Sequence, residues 1–380
     1  MSLTITNLER SLLTNKRIHF ADLAFDNAYA AGGESLSPAL LALSSIDSLS
    51  VNPIKGFSFE YDQANKKLKA FLAAPPIVVE EAHTITAGAI TLDYPAAAIL
   101  QIATATQSQM LIEPSDTLAA SECQLSAAMA AGVRPAIKFH ADTTGAVKIT
   151  YITQAWKEVW DNRVAAADFV TAAHVADIGD TVCFIESCCA KITTGAVVNS
   201  LNKFIRAGDA ADAGECEVDF SDAAAVTAGD TTLTFNATDA VTAIKLTYIK
   251  LPASGFLKQR FLEDEDLTMT SGVGASKYPI LFPALCNQIP DFTAAAERAP
   301  HHLMMPEGDA LGTAQEIRID WHLTKTLMGT QITANDATSD AISLSYVYGF
   351  PGEIGVIPLE VKNAEDLSGL TGIKIQAIGV

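Results

Sequence analysis

Apolar and polar residues alternate with period two in three stretches that are nearly one phrase: AVKITYIT at 146–153, AIKLTYIK at 243–250 and AISLSYVY at 341–348. The first puts Val147, Ile149 and Tyr151 on one face; the second puts Ile244, Leu246 and Tyr248 there, and the third Ile342, Leu344 and Tyr346. Alternation of this kind, rich in β-branched residues and bounded by Asp, Thr, Asn and Gly, predicts strands. The nine residues are the expected core of a repeated unit. A second apolar run and a turn precede each phrase (AIKFHADTTG, TLTFNATDAVT, TQITANDATSD), so each pair is read as a hairpin.

The recurrence extends further. VCFIESCCAKI at 182–192 aligns with PILFPALCNQI at 279–289, which sets Cys189 over Cys286, and DYPAAAILQI at 93–102 is an earlier version. LIEPSD, FIRAGD and MMPEGD follow, leading into ECQL, ECEVDF and EIRIDW, with Cys123 and Cys216 in one equivalent place. Where a copy lacks cysteine it carries Ile or Leu, an exchange that packing tolerates and a nucleophile or metal ligand does not. Cys189 and Cys286 are therefore assigned to the repeat core as buried thiols.

These recurrences divide the chain into an N-terminal arm at 1–15, an N-terminal β domain at 16–112, and repeat units at 113–206, 207–305 and 306–380, the last shorter. In the first domain the hairpin is FSFEYDQANKKLKAF, with Phe57, Phe59 and Tyr61 on one face and Leu68 in the return strand. Units of this length can each bury a core, so the expected fold is mainly β: tandem β-sandwich or β-barrel-like units with few short helices. One helix is expected over 154–177, where Trp156, Val159, Trp160 and Val164 form a stripe.

Charge narrows the partners. A formal charge of -19 argues against a phosphate backbone as the main ligand, because that affinity comes from Lys and Arg. No run approaches the ~18 apolar residues of a membrane span, and MSLTITNLERSLLTNKR lacks the apolar block of a secretory signal, so the expectation is synthesis in a cytosol with no membrane partner.

Candidate chemistry is thin. The histidines at 19, 83, 140, 174, 301, 302 and 322 have no HExxH-like spacing. SGVGASKYP at 271–279 lacks the glycine that a phosphate loop places before its lysine, and EDED at 263–266 does not fit a calcium loop. The expectation is no catalytic, cofactor-binding or metal-binding residue, no cofactor, and a protein that is not an enzyme. Duplicated modules instead suit adhesion, since linked weak contacts reinforce one another.

TNKRIHFADLAFDNAYAAGGESLSPALLALSSIDSL, followed by FEYDQANKKLKAFLA, resembles the start of small structural proteins encoded among the head genes of tailed bacteriophages. The match covers about residues 10–75 and is carried by NKR...AD, the GGESL turn and the FEYD...NKKLKA hairpin. The resemblance implies a β-rich virion component made in the bacterial host cytoplasm: a capsid decoration or cement protein on the capsid surface, whose partner is the major capsid protein. Self-association as a trimer is a further expectation, as is an arm whose Leu3, Thr4, Ile5 and Thr6 pair with a sheet edge on the shell or a neighbour. The alternatives are a tail or baseplate component and a carbohydrate- or receptor-binding module. Three tryptophans leave the latter few stacking platforms.

Overall fold

A computed structural model of the protein describes residues 3–30, 32–105, 108–112, 118–192, 194–195, 197–198, 203–208, 211–222, 225, 227–289, 304–305, 317–320, 329–334, 341–361 and 365–380. The fold is mainly β, without a closed barrel among the described residues, and the chain splits into two compact units: residues 1–74 with 356–380, and residues 75–355.

The first unit opens with β1 (Thr4–Leu13) and β2 (Lys16–Ala24), then β3 (Glu34–Ser35), β4 (Ile46–Val51), β5 (Phe57–Asp62) and β6 (Lys67–Leu72). β5 and β6 form the expected hairpin, with Leu68 fully buried and Phe57, Phe59 and Tyr61 packed on the same core. In the GGESL turn Gly33 has φ +97°, and a Cβ there would sit 3.0 Å from the Leu68 carbonyl oxygen, so only glycine fits without strain.

The second unit is one sandwich written three times. The first copy holds β7 (Ile77–Ile85), β8 (Ala89–Thr91), β9 (Ala96–Thr104), β10 (Met110–Ile112), β11 (Glu122–Leu125), β12 (Ala136–Phe139) and β13 (Gly145–Thr153). Its sheets run β7-β13-β9 and β10-β11-β12-β8. A short helix, α1 (Lys157–Asp161), leads to the second copy: β14 (Arg163–Val170), β15 (Val175–Asp177), β16 (Val182–Ile192), β17 (Val197–Val198), β18 (Lys203–Arg206), β19 (Glu215–Asp222), β20 (Asp230–Phe235) and β21 (Val241–Lys250). The orders are β14-β21-β16-β17 and β15-β20-β19-β18. After α2 (Phe256–Arg260) come β22 (Phe261–Thr268), β23 (Val273–Ala275), β24 (Ile280–Ile289), β25 (Met304–Met305), β26 (Ile317–Ile319), β27 (Gln331–Ala334) and β28 (Ala341–Tyr348), ordered β22-β28-β24 and β23-β27-β26-β25.

The chain then returns to the first unit with β29 (Leu359–Glu360) and β30 (Ile373–Gly379). β30 pairs with both β2 and β4, and its Ile373 and Ile375 share a core with Tyr29, Leu36 and Leu41. The first unit is thus closed by the last strand of the chain.

Several expectations change. The shared phrase is the last strand of each sandwich, so boundaries at 112/113, 206/207 and 305/306 fall inside a sheet, after β10, β18 and β25. The interval expected as a shortened fourth unit, 306–380, holds the end of the third sandwich and then the return to the first unit. The run before each phrase is not its hairpin partner: β12 pairs with β11 and β8, whereas β13 pairs with β7 and β9. Two strands that face one core from opposite sheets show the same alternation as two that pair, because period two reports an apolar face and not a neighbour.

The helix expected over 154–177 is confined to Lys157–Asp161; β14 and β15 take the rest. Its stripe is divided: Trp156 and Val159 enter one core, with Trp160 packed against it, while Val164 packs against another. The segment expected as a free arm is paired, because β1 runs antiparallel to β2 from Thr4 opposite Ala24 to Leu13 opposite Lys16. Leu3 is buried, Ile5 half-buried, and Thr4 and Thr6 are exposed.

Candidate functional site

Each shared strand lies between the first and third strands of its sandwich, with a bulged pairing on either side. In the first strand of every sandwich one residue adopts positive φ: Glu80 at 55°, Ala166 at 52° and Asp264 at 51°. Its N–H is turned out of the ladder and is met by a hydroxyl from the shared phrase: Thr150 Oγ1 at 3.1 Å, Thr247 Oγ1 at 3.1 Å and Ser345 Oγ at 3.0 Å. The Thr or Ser of the phrase is thus fixed by a backbone donor that burial leaves needing an acceptor.

The tyrosine beside it ties the sandwich together. Tyr151 Oη donates to Glu81 Oε2 at 2.5 Å, Glu81 Oε1 accepts from the Asp93 N–H at 2.9 Å, and the Tyr94 N–H donates to Tyr151 Oη at 3.2 Å. The third sandwich repeats the cluster with Tyr346 on Glu265 at 2.5 Å, Glu265 on the Lys277 N–H at 2.8 Å and the Tyr278 N–H on Tyr346 at 3.3 Å. The second changes the acid: Tyr248 Oη donates to Asp180 Oδ2 at 2.9 Å, from the loop before β16. Burial first, and then the adjacent carboxylate, raises all three phenols far above the usual tyrosine range, so they remain hydrogen-bond donors.

All nine core residues expected from the phrase are at most 3% exposed. The cysteine alignment needs a one-residue correction. Leu344 lies opposite Cys286 and its equivalent Leu246 lies opposite Cys188, while Cys189 lies opposite Lys245. Ile149 opposite Ile102 completes the set. Cys188 therefore holds the register position of Cys286 and Ile102, and it is fully buried; a slip of one residue exchanges the two faces of a strand. The side chains of Cys189 and Cys286 lie outside the described residues. Cys123 and Cys216 do share a place, fully buried in β11 and β19, with Ile317 in β26. Burial raises both thiols, which opposes the thiolate needed for nucleophilic or metal chemistry.

The described histidines do not converge. His19 is buried against the Leu41 carbonyl, His83 pairs with Glu81, and His174 sits in a turn. His301, His302 and His322 lie outside the described residues. Among the described residues no group of three or more His, Cys, Asp or Glu could hold a metal ion. EDED forms part of β22: Glu265 serves the tyrosine cluster, Glu263 accepts from Ser221 Oγ at 2.8 Å, and Asp266 pairs with Arg206 at 3.0 Å.

One polar cluster escaped the sequence. Each third strand, β9, β16 and β24, bulges at the same point, and the residue left unpaired is Leu100, Glu186 or Ala284. Glu186 reaches out of the second sandwich and accepts the Ile99 N–H of the first at 2.8 Å, while Arg163 Nη2 donates to its other oxygen at 2.5 Å. The side chains of Arg163 and Glu186 are 5% and 1% exposed. Pairing of two residues 23 positions apart has no sequence pattern to reveal it.

No family model, curated protein or solved structure matches the chain.

Proposed function

We propose that the protein is a structural component of a tailed-bacteriophage virion, decorating the capsid and stabilising it by bridging major capsid protein subunits. The observation that carries this reading is the threefold use of one sandwich whose polar residues are consumed in holding it together: the tyrosine clusters, the hydroxyl-capped bulges and the Arg163–Glu186 pair all serve strands. What such a molecule offers a partner is rigid, repeated contact surface. The resemblance to phage head proteins over residues 10–75 supports the same reading, because it stops where the first run of the first compact unit stops, at residue 74. An acidic surface, with a formal charge of -19, suits a coat that must keep particles apart in solution.

The test uses heads from a phage lacking this gene. Purified full-length chain added to them is expected to co-sediment with the heads and to raise the temperature at which they release DNA. Failure to co-sediment, or appearance of labelled chain on tails instead, overturns the proposal; the second outcome favours a tail or baseplate role.

A further inference from the structure

The three sandwiches close on one another. β10 of the first lies beside β16 of the second, β18 of the second beside β24 of the third, and β25 of the third beside β9 of the first. Modules strung in a line touch only their neighbours in sequence, whereas here the third returns to the first through the same pair of strand positions. Repeating one heterologous contact until it closes is what a three-fold rotation produces.

The interior agrees. Ala98, Phe184 and Phe282 hold one register position, opposite Ile152, Ile249 and Val347, and all six lie in a single buried core. The rings of Phe184 and Phe282 meet edge to face at 5.9 Å. The connectors gather at the same place: Trp156 packs edge to face on Phe256 and on Phe282, each at 5.8 Å, and the Leu257 N–H donates to Glu158 Oε1 at 3.1 Å.

Both ends of this unit belong to the connector side. The Thr153 N–H donates to the Pro76 carbonyl and its hydroxyl to that of Pro75, while Ile354 joins the core that holds Trp156. From there β7, β14 and β22 run to the opposite side, where each enters the same two-residue turn. Ala87-Gly88, Ala173-His174 and Ser271-Gly272 all have φ between +50° and +75°. Among the described residues that side presents one turn three times and holds neither end of the unit.

We infer that the three sandwiches are a single-chain counterpart of a three-fold oligomer, and that their turn-bearing side docks where three copies of the major capsid protein meet, one sandwich per copy. This rests on the capsid reading above. A shell built from copies of one subunit offers such a surface wherever three of them surround an axis, and one chain then supplies the three contacts that otherwise require three.

Native mass spectrometry of the free chain is expected to give the mass of one chain. Density of heads lacking the gene, saturated with purified protein, is expected to show one chain per three-fold position with the three turns in equivalent contacts. Three chains around each axis, or contact through one sandwich alone, overturns the inference and leaves head decoration standing. Absence from the head overturns both. In a binding titration Ala87→Glu, Ala173→Glu and Ser271→Glu, each checked for an unchanged melting temperature, are expected to weaken binding by similar factors, on the order of tenfold each, and to compound when combined. Loss confined to one of the three overturns the three-fold assignment.

Discussion

The seam between the first and second sandwiches and the seam between the second and third are built from the same strand positions and held by different chemistry. At the first, Glu186 crosses to the Ile99 N–H and is backed by Arg163. At the second, Phe184 meets Phe282, and Phe220 meets Phe261 edge to face at 5.4 Å. The bulge of the third strand explains how both are possible. It aims one side chain out of each sandwich, and the residue there, Leu100, Glu186 or Ala284, is free to differ because the backbone has already set its direction. The backbone donor beside the bulge follows this logic too: the position of Ile99 and Ile185 is Pro283 in the third sandwich, which has no N–H to satisfy.

The largest effect is expected at the polar seam. Glu186→Ala leaves a buried guanidinium without its carboxylate and a backbone N–H without an acceptor, a loss of about 3–5 kcal/mol in denaturant unfolding. Replacing the pair together, Arg163→Met with Glu186→Leu, imports the leucine that the first sandwich already uses and is expected to recover most of that loss. A double variant as unstable as Glu186→Ala would mean that the seam depends on Glu186 for something other than charge compensation.

The aromatic seam is expected to respond almost as strongly and without any charge dependence. Phe282→Ala removes a fully buried ring that touches both Phe184 and Trp156, at a cost of about 3–5 kcal/mol, and Phe282→Leu should cost well under half of that. Calorimetry resolves the two, and equal losses would show that ring packing is not what joins these sandwiches.

Within the sandwiches the comparison predicts uniformity. Tyr151→Phe and Tyr346→Phe each strip the same donor from a part-buried glutamate and should each cost about 1–2 kcal/mol. Unequal losses, measured in the same denaturant series, would break the equivalence of the first and third tyrosine clusters.

Most of the strand identities were legible, since the recurring pieces do occupy equivalent strands: DYPAAAILQI, VCFIESCCAKI and PILFPALCNQI in β9, β16 and β24, and the segments that follow in β10, β18 and β25 and then β11, β19 and β26. The phase of the repeat was not legible. A tandem period has no intrinsic beginning, so cutting after β10, β18 and β25 fits the recurrence as well as cutting after the tyrosine strand; only sheet closure decides. The slip from Cys188 to Cys189 has a similar origin. β16 and β24 carry matching bulges and align without a gap at an offset of 98, the spacing of the second and third phrases; the offset of 97 that separates the first two sets Cys189 over Cys286, a shift of one residue, which in a strand is a whole face. The cross-sandwich role of Glu186 and the return of β30 to the first unit are long-range pairings, which period and composition do not encode.

The smallest expected effect separates the two seams by pH. Glu263, on β22, accepts from Ser221 of the second sandwich, and its partial burial, followed by the charges of Asp264 and Asp219, raises its carboxyl above the usual range; the Ser221 hydroxyl partly offsets this. Arg206 faces the same stretch, paired with Asp266. A carboxyl raised on folding holds more protons in the folded chain than in the unfolded one. Its contribution therefore favours folding at pH below the unfolded value and is lost as pH rises through the folded value. Glu263→Gln is expected to flatten the dependence of melting temperature on pH above the ordinary glutamate range and to stabilise the chain slightly on the alkaline side of it. The Arg163→Met, Glu186→Leu chain should keep the wild-type slope, because its substitutions lie at the other seam. Identical slopes for wild type and Glu263→Gln would show that the acidic run is solvated on both sides of the transition and takes no part in joining the second and third sandwiches.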